Sequence, residues 1–167
     1  MHDQEMAKVL EIIQSKYTSL AYPDFSFVEE NLVQRPYEKI LQELGQIFQV
    51  EEDTDTNDDV SFCYILKNAD KMWILRLSML GPYAVFLRLH ASGHLEVVDQ
   101  TTPGVSESEK TLMTLLAGMS IHLLDRQALL YHVPLSLCNT APGNTRVYQA
   151  LFTDSDILPW EESAGGS

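Results

Sequence analysis

Four apolar runs of strand length, separated by short turns, dominate the middle of the chain between residues 60 and 98. The runs are rich in β-branched, aromatic and leucine residues. The turns at 68–70, 81–83 and 91–93 supply Asn, Asp, Pro and Gly, the residues that favour chain reversal. The pattern predicts an antiparallel β-meander of four or more strands.

Turns of three residues at all three positions would fix the register of this meander. Arg76 and Arg88 would then lie together on one face of the sheet. A shift of one residue moves every side chain to the other face, so the register decides what is buried. On the predicted register, the buried face holds Cys63, Ile65, Trp73, Leu75, Leu77, Met79, Val85, Leu87, Leu89, Leu95 and Val97.

Apolar residues at helical spacing flank the meander on both sides. They predict a helix over 3–20 with Asp3 as N-cap, and a second helix that begins at Pro36 and ends at Gly45, a C′ residue. Residues 24–34 fit neither pattern clearly. Residues 47–50 predict a short strand.

Ser106 and Glu109 have the spacing of a capping box, which predicts a third helix over 107–124. Because this segment is apolar around its circumference, we expect it to pack on the Leu75/Leu77/Leu87 face of the sheet. A short last helix follows Thr145. The predicted fold is therefore α+β, with a central apolar helix, N-terminal helices, one domain over 1–160 and a loose tail over 161–167.

The chain of 167 residues has 24 acidic against 11 basic residues, for a formal net charge of −13. Such a charge repels nucleic acid and anionic membranes and attracts basic partners. No signal peptide or membrane span is visible. With only Cys63 and Cys138 as thiols, we expect a reduced, cytoplasmic protein.

Fourteen of the 24 acidic residues lie in residues 1–59, and six of these are in the segment EEDTDTNDD at 51–59. It begins like a calcium-binding EF-hand loop, but Asp58 stands where the turn glycine is needed and Tyr64 where the bidentate glutamate is needed. The segment is either a solvated connection or a partner-binding loop whose middle projects from the sheet. The candidate partner-binding residues are Glu51, Glu52, Asp53, Asp55, Asp58 and Asp59.

Other combinations of polar residues carry weaker chemical signals. His90 and His94 flank a turn and should face each other, but a metal site needs further ligands. Asp154 and Asp156, beside Ser155, are the kind of paired loop carboxylates that seldom act as catalysts. Because the sequence has no nucleophile elbow, no phosphate-binding glycine loop and no zinc-protease motif, we expect no catalytic residue, no metal and no cofactor.

Two segments of the chain carry a resemblance to a known group of proteins. They are Trp73–Ala84 and, towards the C-terminus, Leu151-Phe152 followed by Leu158-Pro159-Trp160. In these segments, and in its size, acidity and lack of catalytic motifs, the chain resembles small acidic bacterial immunity proteins. The resemblance implies a non-catalytic protein that binds and blocks a basic toxin domain, such as a nuclease. It carries over no site residue.

Two other functions fit the sequence. An acidic secretion chaperone also alternates helices with a curved sheet. A small-molecule-binding or enzymatic domain would use Arg76 and Arg88, whose apolar neighbours leave them in need of an anion. A fitted pocket beside the arginines would favour such a domain, and a flat acidic surface would favour the binding protein.

Overall fold

The computed structural model describes residues 3–161. Six helices and six strands lie in these residues and form the α+β fold that the sequence predicts. The helices are α1 (Asp3–Tyr17), α2 (Ser26–Gln34), α3 (Glu38–Leu44), α4 (Glu107–Gly118), α5 (Arg126–Leu129) and α6 (Val147–Leu151). The strands are β1 (Gln49–Glu52), β2 (Ser61–Asn68), β3 (Lys71–Ser78), β4 (Tyr83–Leu89), β5 (Leu95–Val97) and β6 (His122–Leu123).

The strands form one open sheet in the order β1-β2-β3-β4-β5, with every neighbour in that path antiparallel. The short strand β6 pairs in parallel with the start of β4. The predicted meander is therefore confirmed and extended by β1 at one edge.

The predicted register is wrong for two of the three turns. Asn68 pairs with Lys71, so the first turn has two residues, and its Ala69 has a φ of 56°. Leu77 pairs with Ala84 across a six-residue connection over 78–83. Because both connections have an even number of residues and not three, the strands that they join are shifted relative to the prediction. Different side chains therefore share each face of the sheet.

Trp73, Leu75 and Leu77 consequently share a face with Phe86 and Arg88 instead of Leu87. We call this the helix-covered face, because Tyr37, the N-cap residue of α3, packs on Phe62 and Glu109 of α4 bonds to Trp73. The third turn agrees with the prediction, since Leu89 pairs with Leu95 around residues 91–93. The helix-covered face also holds Phe62, Tyr64, Leu66 and Ala84.

The C-terminal segment covers part of the opposite face. Ser61 Oγ donates to the carbonyl of Phe152 at 2.7 Å, and Ser78 Oγ donates to that of Leu151 at 2.8 Å. The Tyr17 hydroxyl of α1 donates to the carbonyl of Ala150 at 2.6 Å. These buried side-chain bonds join the first and last helices to the sheet.

Several helix limits differ from the predictions. Residues 24–34 contain α2, and α1 ends at Tyr17 because Thr18 has a φ of 66°. Gly45 has a φ of −63°, so it is not the left-handed C′ residue we expected. The Ser106 capping box is present, but α4 ends at Gly118. Ser120, with a φ of 57°, then redirects the chain into β6.

No helix within residues 3–161 combines the length and the apolar character needed to cross a membrane. The predicted tail at 161–167 lies outside the described residues except for Glu161.

Candidate partner-binding site

The part of the acidic segment that follows β1, residues 53–59, folds back on itself. The Asp59 amide donates to the Asp55 carbonyl at 2.8 Å, and the Asp55 amide donates to Asp59 Oδ2 at 2.8 Å. The Asn57 amide donates to Asp55 Oδ1 at 2.9 Å. Asp55 and Asp59 thus cap the backbone of a tight turn, and residues 55–57 in its middle are exposed.

Residues from the C-terminal segment lie against this turn. The Asp154 amide donates to the Asp58 carbonyl at 3.0 Å. Asn139 Nδ2 donates to Asp58 Oδ1 at 2.8 Å, and Asp59 forms an isolated bridge with Thr153. Two acidic parts of the chain are thereby brought side by side.

Between these two parts lies a cleft of about 810 Å³, which we call the acidic cleft. Six aspartates and one arginine line it, so its formal charge is six negative less one positive, or −5. Ionised carboxylates only accept hydrogen bonds, so such a cleft suits cationic, hydrogen-donating groups. The charged lining residues are Asp53, Asp55, Asp58, Asp59, Asp154, Asp156 and Arg76.

Arg76 contributes the only positive charge among those lining residues. Its Nη1 lies 3.1 Å from Asp59 Oδ1 and 3.4 Å from Ser61 Oγ. Burial by itself lowers the pKa of Arg76. The negative charges of Tyr148, Cys63 and Asp59, when these groups are ionised, have a larger opposite effect, so the pKa of Arg76 is raised. Arg76 therefore stays positively charged and neutralises the buried Asp59.

The second acidic part is fixed by its own hydrogen bonds. Asp154 accepts from the amides of Cys138 at 3.0 Å and Asn139 at 2.9 Å, and from Thr140 Oγ1 at 2.8 Å. Asp156 Oδ1 accepts from the Ala141 amide at 3.3 Å. Both carboxylates hold the loop before α6 in place, and both line the acidic cleft.

Two groups near Arg76, the Cys63 thiol and the Tyr148 hydroxyl, are nucleophiles when ionised. Burial raises the pKa of the Cys63 thiol to about 11 and that of the Tyr148 hydroxyl to about 12. At neutral pH both groups are therefore protonated, and a protonated thiol is a poor nucleophile and metal ligand. The carboxylates that line the acidic cleft can bind cations.

The structure places Arg88 on the helix-covered face and Arg76 on the opposite face, so the expectation that they share a face is wrong. Arg88 bonds Glu109 through Nε and Nη2, both at 2.7 Å, and Glu96 through Nη1 at 2.8 Å. Trp73 Nε1 donates to Glu109 at 2.8 Å. Each arginine has a carboxylate partner, and the two cannot hold one ligand between them.

The first two predicted partner-binding residues lie on β1 instead of in the turn. Glu52 accepts two hydrogen bonds from Arg35 Nη1, at 2.9 and 3.0 Å. Glu51 Oε2 lies 3.7 Å from Lys67 Nζ on the next strand. The other four predicted residues, Asp53, Asp55, Asp58 and Asp59, line the acidic cleft.

His90 and His94 face each other across their turn, as the sequence predicts, with ring centroids 5.6 Å apart. His90 Nε2 lies 2.9 Å from Glu96 Oε1. Over residues 3–161, no group of three or more His, Cys, Asp and Glu side chains has a metal-binding arrangement.

Sequence reasoning missed the part that Asp154 and Asp156 play in the site. The signal available was two carboxylates in a short loop, which does not reveal that the loop packs beside residues 53–59. Comparisons with protein-family models, with curated proteins and with solved structures find no match to this chain.

Proposed function

We propose that this protein is a non-catalytic binding protein that captures a basic protein partner in the acidic cleft. Its most specific form is an immunity or inhibitor protein that covers the active site of a basic toxin domain, such as a nuclease. The observation that carries the proposal is the convergence of six aspartates from two distant parts of the chain around one arginine. An acidic surface complements the basic groove with which a nuclease holds its substrate.

The site is a cleft beside Arg76 and not the flat acidic surface expected of a binding protein, so it meets part of the expectation for a small-molecule site. Its six aspartates, however, repel the anion that such a site would bind at the arginine and suit a cation, which supports the binding of a basic partner. Asp58, Asp154 and Asp156 already accept hydrogen bonds from neighbouring backbone or side-chain donors, so the carboxylates are held in fixed positions. Fixed charges that need no reorganisation favour rapid, specific capture of a cation. The thiol and hydroxyl groups that could act as nucleophiles are protonated at neutral pH.

A capture experiment tests this proposal. Tagged wild-type protein and the triple variant Asp53→Asn/Asp55→Asn/Asp156→Asn are used to isolate binding proteins from the source organism. The amide oxygens of asparagine can still accept the backbone hydrogen bonds at positions 55 and 156. The matched control is Glu5→Gln/Glu11→Gln/Glu29→Gln, which removes the same charge from exposed positions of α1 and α2.

We expect the wild type and the control to retain a basic protein that the triple variant retains poorly. Association with the purified partner should slow by about tenfold or more in the triple variant at low ionic strength, with little change in dissociation. Equal association rates for all three proteins would contradict binding through the acidic cleft.

A second measurement tests the immunity role itself. The captured protein is expressed in cells with either wild-type or triple-variant protein, and growth and enzymatic activity are followed. We expect toxicity that only the wild type relieves efficiently. A partner that is harmless, or that remains fully active in the complex, would contradict the inhibitor role and leave only the binding role.

A further inference from the structure

Strand β1 is the outermost strand on its side of the sheet and pairs only with β2. The Asp53 amide donates to the Cys63 carbonyl at 2.7 Å. This bond fixes which residues of β1 direct their backbone groups towards β2. In an antiparallel ladder these residues alternate, so Gln49 and Glu51 bond to β2 while Val50 and Glu52 direct their amides and carbonyls outward.

The outward backbone groups of β1 have no hydrogen-bond partner within residues 3–161. Glu51 and Glu52 are exposed, and Val50 is half-buried. Two donors and two acceptors are thus available in the spacing of a strand. Such an edge is a template for an additional strand.

Charge decides what kind of strand this edge accepts. Glu51 lies on one face of the sheet and Glu52 on the other, and Asp53 follows directly at the rim of the acidic cleft. A second copy of the chain would bring like charges together at this edge, which is unfavourable. Glu51 and Glu52 each lie beside one cation, Lys67 and Arg35, so the uncompensated negative charge lies in the acidic cleft beyond Asp53. A strand that carries Lys or Arg would meet this charge where it passes the end of β1.

We propose that the outer edge of β1 binds an extended, basic segment of the partner as an additional strand that continues into the acidic cleft. This inference rests on the proposed function, because it specifies how the basic partner is held. Main-chain hydrogen bonds to Val50 and Glu52 supply affinity, and the carboxylates of the acidic cleft select basic side chains.

The test uses a capped synthetic peptide of alternating Lys and Val, of about eight residues, a usual strand length. A second peptide carries N-methyl groups on alternate residues, which keep its charge but block one hydrogen-bonding edge. We expect the first peptide to bind at least about tenfold more tightly than the second, and to slow hydrogen exchange at the Val50 and Glu52 amides.

Val50→Pro provides the matching change in the protein. Proline is tolerated where the amide points away from the ladder, so β1 should still pair with β2. Val50→Ala is the control for the loss of the half-buried side chain. We expect Val50→Pro to weaken peptide binding at least about tenfold and Val50→Ala to change it less than about twofold.

The outcomes separate this inference from the proposed function. Binding that survives both Val50→Pro and N-methylation, but is lost in the triple variant of the acidic cleft, overturns strand addition and leaves the proposed function intact. The proposal of strand addition at β1 is also overturned if neither Val50→Pro nor N-methylation affects binding. It is overturned likewise if the peptide does not bind the wild type. Should Val50→Pro fail to fold, the comparison of the two peptides on the wild type still decides.

Discussion

Arg88 and Arg76 lie on neighbouring strands, and each contacts a carboxylate that is almost completely buried. The side chains of Glu109 and Asp59 are 2% and 4% exposed, and those of Arg88 and Arg76 are 21% and 18% exposed. Burial therefore does not distinguish the two pairs. What distinguishes them is the balance of charge in the surrounding site, because Arg88 contacts two carboxylates whereas Arg76 contacts one and lines a cleft that holds five more.

Around Arg88 the donors and acceptors balance. Glu109 accepts from Arg88, from Trp73 Nε1 at 2.8 Å and from the Ser106 amide at 2.8 Å. Glu96 accepts from the remaining side of the guanidinium. This closed network fixes the start of α4 on the sheet.

Around Arg76 the carboxylates are in excess. Asp59 bonds to it directly, but five further aspartates line the same acidic cleft. One guanidinium cannot neutralise six carboxylates, so the excess charge is available to an incoming cation. An arginine–carboxylate pair therefore marks a binding surface only where its surroundings leave charge uncompensated.

The largest expected effect comes from breaking the balanced network. Glu109→Ala removes a helix cap and leaves Trp73 and part of Arg88 unpaired in a buried site. It should therefore destabilise the fold by about 3 to 5 kcal/mol. Urea unfolding measures this change. The control Glu107→Ala removes an exposed carboxylate from the same helical turn and should cost less than about 0.5 kcal/mol. Similar losses for both would show that the network is not what holds α4.

Acid should break the same network without any substitution. Burial alone raises the pKa of Glu109, but hydrogen bonds from Arg88, Ser106 and Trp73 outweigh burial and lower it from 4.5 to about 2. The folded-state pKa lies below the unfolded value, so the stabilisation is present above pH 4.5 and is lost as the pH falls towards 2. The difference corresponds to about 3 kcal/mol.

Urea unfolding of the wild type and Glu109→Gln at pH 6 and near pH 2 measures this loss. The gap between the two proteins should be wide at pH 6 and should narrow in acid. A gap of constant width would contradict the assignment to Glu109.

The open pair should respond less to the loss of its carboxylate. Asp59→Ala removes the carboxylate that pairs with Arg76 and the acceptor of the Asp55 amide, but the guanidinium keeps Ser61 Oγ at 3.4 Å and is 18% exposed to solvent. We expect a loss of about 1 to 3 kcal/mol in urea unfolding, smaller than that for Glu109→Ala. The opposite order would mean that the acidic cleft is the more rigid of the two sites.

The smallest effect on stability should come from the excess carboxylates. Asp53→Asn/Asp55→Asn/Asp156→Asn keeps the acceptor oxygens and relieves repulsion, so the unfolding free energy should stay within about 0.5 kcal/mol of the wild type. Its effect should appear instead in the salt dependence of association with a basic partner. Asp59 is left unchanged in this variant because it supports the fold through Arg76. Its neutralisation would change the unfolding free energy as well as the association rate.

Local sequence signals predict most of the longer elements of this fold, but not α2, the short α5 and β6, or the register of the sheet. The Ser106 and Glu109 capping box and the apolar runs each depend on residues close in sequence, and both are present. The two-residue turn at Ala69-Asp70 differs from a three-residue turn by one position, and a pattern of apolar residues on both faces cannot reveal that difference.

The acidic cleft was only half predictable for a related reason. Residues 51–59 form a continuous acidic segment, so their charge is visible in the sequence. The opposing wall depends on contacts between Asp58 and both Asn139 and Asp154. Such pairings are decided by packing of the whole chain, and one sequence alone contains no record of them.

The bridge between Asp59 and Thr153 also determines when the acidic cleft can form during synthesis. The adjoining hydrogen bond from Ser61 to Phe152 joins positions 91 apart. Because a chain is made from its N-terminus, the first wall of the acidic cleft leaves the ribosome long before the second wall exists. A partner that requires both walls therefore recognises only chains that have been made through residue 156 and have folded. Capture of that partner would report on the completion of folding.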